Sequence, residues 1–437
     1  PAANRADGPV RRDGTAMNWT SAGIAPAPNL ATKLVARAGE GIHEAERFVP
    51  KTITNPAPGV WVFDFGQNFA GWPELNLPQL PAGTVVKVKP AESLNADGTV
   101  NQSSLGPGGR GRDLFNSYIT AGLAGGEKYN PKFNYFGMQW VQIEGLPAGF
   151  TPTADIVSGV RLQAGTPVVG SFDSSNARIN RINKMAHYSM ATQIMSTFTD
   201  CPGREKQSYP ADYTMPMEGF HSLFEFDAYM QTTAHHLVEG QSMADTPMFG
   251  NVALKTPVHD WGYTGQFGDE INWGNGIILV PAFLYEYYGD TETMTRYYNQ
   301  MVDFVEYIQR QKVGTGADAN IVNAALADWV AAEQTSGRIT GTWGYYVMMT
   351  KMVTMAKLTG HDEDAAKFAQ KVEEIKTAYN NAFLNTTLGY YTATGNAGTS
   401  GATQAAQALA LDAGLVPNQY RESVVKQLVD NTKAFGP

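Results

Sequence analysis

One short segment, Thr199–Lys206, gathers the residue types from which acid/base chemistry is built. It reads Thr-Asp-Cys-Pro-Gly-Arg-Glu-Lys and holds two carboxylates, a guanidinium and the only cysteine among 437 residues. The Cys-Pro-Gly step disfavours helix, because a residue before proline avoids the helical region and glycine loosens the backbone. We therefore expect Asp200, Arg204 and Glu205 on a tight loop at a helix end, with Asp212 shortly after it. Carboxylates clustered on a rigid loop can perform acid/base chemistry on a sugar.

The composition narrows the classes of partner and cofactor. The formal net charge is −9 and the chain lacks basic clusters, which argues against nucleic acid and anionic membranes as partners. No apolar run approaches the ~20 residues that a membrane-spanning helix needs. The lone Cys201 can form neither an intrachain disulfide nor a cysteine-based zinc site. We expect no cofactor and no metal site, while the sequence leaves open a structural calcium ion and the oligomeric state.

The residue usage also bears on where the protein works. Charged residues make up only 17% of the chain, whereas aromatic residues reach 11%. Glycine, asparagine and threonine are abundant, a usage that is typical of exported proteins that handle sugars. This composition predicts a secreted or periplasmic protein.

Before about residue 170 the pattern predicts strands. Val60–Phe65 is a short apolar run, Thr84–Lys89 alternates between apolar and polar residues, and Gln139–Glu144 alternates in the same way. Turn pairs such as Asp-Gly separate these runs. The pattern indicates an antiparallel β-sandwich over residues 41–170. Residues 1–40 carry little pattern, and we expect an arm or the remnant of a preceding domain.

After residue 170 the apolar period becomes helical. Arg296–Arg310 and Asp364–Leu384 each place their large apolar residues on one stripe. Short glycine-containing breakers recur between such segments, and repeated helical hairpins suggest a solenoid or a closed α/α barrel over residues 171–437. The periodicity predicts helices over eight ranges: 175–197, 214–240, 275–288, 291–311, 343–359, 362–386, 403–413 and 418–434.

Several segments together resemble the α-L-rhamnosidases of glycoside hydrolase family 78. Phe172–Asn183, Thr199–Lys206 and Val62–Trp72 match the family's order and spacing. So do four further segments: Ala91–Thr99, Asn272–Asn275, Tyr287–Thr291 and Ala327–Trp329. The resemblance implies a β-sandwich ahead of an (α/α)6 barrel that is incomplete at its C-terminus, with a carbohydrate substrate bound at the barrel mouth.

The resemblance also implies roles for individual residues. Glu205 matches the family's general acid, and Asp200 and Arg204 match residues that contact the rhamnose hydroxyls. Asp212 falls where many members carry another substrate-binding aspartate. Two tryptophans match aromatic residues that line the sugar pocket: Trp273 and Trp329. The implied reaction is inverting hydrolysis of a rhamnoside, in which Glu205 protonates the leaving oxygen while a second carboxylate activates water.

The chain departs from the family pattern at three points. Tyr209 stands where the family often has a tryptophan, so one wall of the sugar subsite is altered, and we count Tyr209 among the substrate-binding residues. Asn275 stands where many members have Asp or Ser. The family's general base lies further from the acid than this chain extends, so we expect it outside these residues. A fragment, or a site completed by a second polypeptide, would explain this.

Each residue also has a structural interpretation. Asp200 and Arg204 could form a salt bridge that caps neighbouring helices. Trp273 and Trp329 could serve packing alone, as large rings usually do. The acidic pair Asp269-Glu270 lies in a glycine-rich stretch, where we expect it to be solvated.

Two other functions remain as alternatives to a rhamnosidase. Another exo-glycosidase or a sugar lyase on the same barrel would follow if the altered segment after Glu205 has changed the substrate. A non-catalytic carbohydrate-binding protein would explain the missing base. Linkage and aglycone preference are not encoded in these motifs.

Overall fold

The computed structural model describes Ala36, Gly39 and residues 41–106, 111–242, 247–257 and 268–434. Within them, strands predominate up to Ala164 and helices from Ala177 onward. The predicted order, an antiparallel β region followed by a helical region, is confirmed. The predicted arm over residues 1–40 lies almost entirely outside the described residues.

The β region contains ten described strands: β1 (Ile42–Phe48), β2 (Thr52–Ala57), β3 (Val60–Leu77), β4 (Val85–Ala91), β5 (Ser93–Leu94), β6 (Val100–Asn101), β7 (Asn116–Ile119), β8 (Glu127–Tyr129), β9 (Phe136–Glu144) and β10 (Val157–Ala164). Eight of them form one antiparallel sheet of order β1-β10-β3-β9-β4-β7, with β2 and β8 also paired to β3. The long strand β3 changes neighbours along its length, and its register with β9 shifts between Asp64 and Phe69. β5 and β6 pair separately.

The sheet buries one face through the alternation that the sequence predicts. In β4, Val86 and Val88 are buried, whereas Lys87 and Lys89 between them are only partly covered. The two valines join a core that three phenylalanines of β3 dominate: Phe63, Phe65 and Phe69. Burying this apolar surface stabilises the β region and gives it a rigid face beside the helices.

The helical region contains twelve described helices: α1 (Ala177–Gln193), α2 (Pro210–Thr214), α3 (Met217–Leu223), α4 (Asp227–Glu239), α5 (Ile271–Gly274), α6 (Gly276–Tyr288), α7 (Glu292–Arg296), α8 (Tyr298–Gln311), α9 (Gly337–Leu358), α10 (Asp362–Phe383), α11 (Gln404–Asp412) and α12 (Arg421–Ala434). A small hairpin, β11 (Leu384–Asn385) and β12 (Tyr390–Tyr391), follows α10. α9 packs against α10 and α4 packs against α6. The apolar stripe predicted in α9 is buried, including Met348, Met349, Met352 and Met355.

Three predicted helix ranges differ from the structure. The predicted helix 214–240 is two helices, because the chain is extended at Phe224 before α4 begins. The predicted helix 291–311 is interrupted at Tyr297. α9 begins at Gly337, six residues before the predicted start, and its first turns are buried against the segment around Val322. Tertiary packing there outweighs the low helix propensity of glycine and threonine.

Candidate active site

The residues Asp200–Gln207 form a closed loop between α1 and α2, which we call the acid loop. The Asp200 amide donates to the Gln207 carbonyl oxygen at 2.8 Å, and the Gln207 amide donates back to Asp200 Oδ1 at 2.9 Å. Inside the loop, the Glu205 amide donates to Cys201 Sγ at 3.2 Å. The Cys-Pro-Gly step therefore makes the tight, non-helical turn that the sequence predicts.

Asp200 and Asp212 line the same cavity, which has a volume of about 400 Å³. Tyr209 contributes to its wall, and Met190 of α1 and Phe220 of α3 close other sides. The α2 helix, which begins at Pro210, carries Asp212 in its first turn and so points it towards the acid loop. Two carboxylates thus face an enclosed space of a size that suits a small ligand.

Burial and mutual repulsion shift the ionisation of both aspartates. Burial raises the pKa of Asp200, which hydrogen bonds from Cys201 and the Gln207 amide partly offset. Burial raises the pKa of Asp212 to about 6, and the negative charges of Asp200 and Glu205 add to the rise. The mutual influence of these three carboxyl groups shows that they lie close together.

Glu205 lies on the exposed side of the acid loop, beside the cavity rather than in its wall. The Tyr209 hydroxyl donates to Glu205 Oε2 at 2.6 Å. Lys255 is buried nearby: burial lowers the pKa of its ammonium, and the negative charge of Glu205 partly opposes that shift. Glu205 therefore combines access to solvent with a fixed hydrogen bond and a neighbouring cation.

Arg204 is exposed and does not line the cavity. Among the ion pairs of the described residues, none joins Arg204 to Asp200. The helix-capping salt bridge considered from the sequence is therefore absent. Arg204 stands beside the carboxylates in sequence, but its side chain is not part of their cluster.

The three aromatic candidates occupy different environments. Tyr209 packs against Trp273, together with Leu254 and Leu326. Trp273 is 8% exposed on the short helix α5, so it combines a packing role with a position next to Tyr209. Trp329 is 54% exposed and lies outside this apolar cluster. The structure brings Tyr209 and Trp273 together beside Glu205 and leaves Trp329 on the surface.

Glu270 was expected to be solvated, and that prediction is wrong. It is 2% exposed and precedes α5, where its Oε2 accepts the amides of Asn272 at 2.5 Å and Trp273 at 3.3 Å. Burial raises its pKa to about 7, and the negative charge of Asp269 adds to this, while the backbone amides of Asn272, Trp273 and Leu326 oppose it. An acid two residues before an Asn-Trp pair at a helix start is an N-cap signal that could have identified it.

Asp269, the other member of that acidic pair, is also held by the protein. It forms an ion pair with Lys312 and accepts the Tyr307 hydroxyl. Residues 268–270 are thus tied to α8 on one side and to α5 on the other. Sequence alone did not reveal this, because both partners come from a distant part of the chain.

Two searches of the described residues bear on membranes and metals. None of the described helices combines the length and the apolar character that crossing a bilayer requires. Over the same residues, no group of three or more His, Cys, Asp or Glu side chains is arranged to hold a metal ion. The chemistry of the site is therefore described through its carboxyl groups and their neighbours.

The arrangement can transfer a proton at the edge of a cavity. A carboxyl group with solvent access and a fixed donor can deliver a proton to an atom bound beside it. Two partly buried carboxylates in the adjacent wall can accept hydrogen bonds from hydroxyl groups. Such a set is suited to a polyhydroxylated ligand whose leaving oxygen reaches Glu205.

Comparison with known proteins identifies relatives over nearly the whole chain. The bacterial α-L-rhamnosidase 6 hairpin glycosidase domain matches residues 167–436, and the bacterial α-L-rhamnosidase concanavalin-like domain matches residues 54–163. A curated α-L-rhamnosidase of Formosa agariphila is 27% identical over 406 residues, covering 89% of this chain and 40% of that protein. The chain thus spans about two fifths of the length of this curated relative.

Solved structures show the same kinship. The α-L-rhamnosidase of Dictyoglumus thermophilum matches with a TM-score of 0.80 at 25% identity, covering 91% of this chain and 43% of that one. The Streptomyces avermitilis α-L-rhamnosidase complexed with L-rhamnose matches with a TM-score of 0.79 at 24% identity, covering 92% and 36%. Because a single domain family matches more than half of its residues, the chain belongs to the bacterial α-L-rhamnosidase family.

Proposed function

We propose that the protein carrying this chain is an inverting α-L-rhamnosidase in which Glu205 is the general acid. The observation that carries the proposal is the convergence of three carboxyl groups, those of Asp200, Glu205 and Asp212, beside one cavity. Membership of the family supports the choice of sugar, and the S. avermitilis relative has been solved in complex with L-rhamnose.

The residues of the cavity wall would hold the sugar. Asp200 and Asp212 would accept hydrogen bonds from rhamnose hydroxyls, and such bonds are stronger when the acceptor is charged. Trp273 and Trp329 would present ring faces to the apolar side of the sugar, with Tyr209 between the cavity and Trp273. We assign Arg204 a hydroxyl contact at the exposed rim.

The reaction would proceed by direct displacement. Glu205 gives its proton to the glycosidic oxygen as the bond from that oxygen to the anomeric carbon breaks, and the aglycone leaves as an alcohol. Water adds to the anomeric carbon from the opposite face and gives its proton to a second carboxylate, typically 6.5–9.5 Å from the first. Because Tyr209 binds Glu205 Oε2, we assign the transferred proton to Oε1. The family resemblance places the second carboxylate outside this chain.

We also propose a finer description of the fold. The helices would pair as hairpins of an (α/α)6 barrel, which the matched 6-hairpin family and the packing of α9 on α10 and α4 on α6 support. The β region would be a sandwich, which the concanavalin-like family match supports. In this arrangement the acid loop lies at the barrel mouth.

Turnover of p-nitrophenyl α-L-rhamnoside by the full-length protein tests the function. We expect hydrolysis whose first product, observed by ¹H NMR before mutarotation, is β-L-rhamnose, since inversion reverses the anomeric configuration. Glu205→Gln should retain the fold and lose roughly 100-fold or more in kcat/KM on a disaccharide substrate, because general acids contribute about 10²–10⁴. Asp430→Asn, an exposed change on α12, is the control.

Other outcomes would favour the alternatives. L-rhamnose binding without turnover would indicate a carbohydrate-binding protein. Turnover of a uronic-acid substrate with a rise in ultraviolet absorbance from a new double bond would indicate a lyase. An α-anomer as first product would contradict inversion while leaving the glycosidase assignment in place.

A further inference from the structure

Lys206, the residue after the proposed general acid, is inserted into the β region. Its ammonium donates to the Tyr135 carbonyl oxygen at 2.5 Å and lies 4.2 Å from the centre of the Tyr135 ring and 5.4 Å from that of Phe136. Burial lowers the pKa of Lys206. A partly buried ammonium with a carbonyl acceptor and two ring faces is a fixed contact rather than a mobile surface charge.

The backbone of Lys206 is in the left-handed region, with φ of 56°. Residues other than glycine adopt this conformation rarely, and they keep it where surrounding contacts enforce it. The side-chain contacts with Tyr135 are such an enforcement. They set the direction in which the chain leaves Glu205, because the two residues are adjacent.

Tyr135 also reaches the beginning of the loop. Its hydroxyl is hydrogen bonded to the Thr199 side chain, and burial raises the pKa of this hydroxyl to about 12. The ring packs beside a small apolar cluster of Val160, Leu162 and Met195. A single tyrosine of the β region therefore contacts the residues at both ends of the segment Thr199–Lys206.

The middle of the acid loop lies equally close to the β region. The Gly106 amide donates to the Gly203 carbonyl oxygen at 3.4 Å. A Cβ atom at Gly106 would lie only 2.6 Å from the Arg204 carbonyl oxygen, so any larger residue there would displace the loop. The loop is thus clamped against the β region along its length.

We propose that Lys206 is a positioning residue, which with Tyr135 fixes the acid loop on the β region so that the Glu205 carboxyl meets the leaving oxygen. The inference rests on the proposed function and deepens it, because it assigns the β region a part in proton delivery. It requires no contact between Lys206 and the sugar. A displacement of about 1 Å in a catalytic group can cost roughly 100-fold in rate.

The test compares two substrates that differ in their need for the proton. Methyl α-L-rhamnoside has a poor leaving group and depends on general acid catalysis, whereas 2,4-dinitrophenyl α-L-rhamnoside leaves without much assistance. In the full-length protein, we expect Lys206→Met to lower kcat/KM about 100-fold for the methyl glycoside and by less than about threefold for the dinitrophenyl glycoside. Lys206→Arg, which keeps a cation, should restore most of the difference.

The ratio of the two rates is independent of the folded fraction, so partial unfolding of a variant does not obscure it. Lys426→Met, at an exposed lysine of α12, is the matched control and should leave both rates unchanged. An equal loss on both substrates would make Lys206 merely structural and overturn the inference, as would no loss on either. A wild-type protein that hydrolyses neither glycoside would overturn the proposed function and this inference with it.

Discussion

The acid loop and the segment Leu326–Val330 match the family equally well in sequence, but their surroundings are very different. The acid loop is closed by hydrogen bonds between Asp200 and Gln207 and contacts the β region through Lys206. In the other segment, Leu326 is buried but Val330 is 79% exposed. A motif therefore identifies the residues of a site, whereas burial decides which of them are already fixed in place.

The exposed segment is still shaped by local geometry. Ala327 and Val330 both have positive φ angles, of 53° and 55°. Asp328 Oδ2 accepts the Thr335 hydroxyl at 3.0 Å, which ties the turn to the residues before α9. Trp329 is carried outward between these points, so its ring is open to a sugar face. The comparison predicts that substitutions in the two regions will affect different quantities.

The largest contrast is expected between the two tryptophans. Trp273→Ala should lower the free energy of unfolding by about 3–5 kcal/mol, because it empties a buried site packed against Tyr209. Trp329→Ala should change it by about 0.5 kcal/mol or less, as surface substitutions usually do, and should instead raise KM. Urea denaturation and steady-state kinetics measure the two effects. Equal losses of stability would contradict the difference in packing.

Glu270 should make stability depend on pH. Its pKa is raised from its ordinary 4.5 to about 7, so between these values the folded protein holds a proton that the unfolded chain has released. Stability therefore falls as pH rises from about 4.5 to about 7, by at most about 3 kcal/mol. Glu270→Gln should lack this part of the profile. Exposed Glu363→Gln is the control, and parallel wild-type and Glu270→Gln profiles would show that the buried carboxyl does not titrate in this way.

Asp200→Asn should reduce kcat/KM about 100-fold. The substitution removes a charged acceptor from the cavity wall and weakens the bond that Asp200 Oδ1 accepts from the Gln207 amide. Charge-assisted hydrogen bonds that are lost from a buried site have effects of this order. Kinetics with the p-nitrophenyl rhamnoside measure the change, with exposed Asp430→Asn for comparison. Wild-type kinetics in the variant would remove Asp200 from the site.

Asp212 should have the smallest effect, about tenfold, and should show it in KM. Its pKa is raised to about 6 by burial and by the charges of Asp200 and Glu205, so it is a carboxylate above that pH and neutral below it. KM of the wild type should therefore rise as pH falls through about 6, because the charged acceptor is lost. Asp212→Asn should have a higher KM without that inflection. An unchanged inflection in the variant would assign it to another group.

The sequence predicted much of this architecture because its signals are local. The Cys-Pro-Gly step restricts the backbone itself, so the acid loop followed from three residues. The alternation in β4 and the apolar stripe of α9 follow from which face meets the core. These predictions needed no knowledge of distant residues.

The features that were missed depend on contacts across the chain. Glu270 is buried because α5 and the segment at Leu326 enclose it, and α9 starts early because Val322 packs on its first turn. The clamp between Lys206 and Tyr135 joins residues 71 positions apart. Propensity and motif spacing carry no information about such pairs, so only the fold reveals them.

The central claim is that Glu205 delivers a proton to the departing oxygen, and a series of aryl α-L-rhamnosides tests it most directly. Measured as kcat/KM against the pKa of the leaving phenol, the wild type should show a shallow dependence, because the acid assists poor leaving groups. Glu205→Gln should show a steep one, with activity retained only for the most acidic phenols. Parallel slopes for the two proteins would contradict the account.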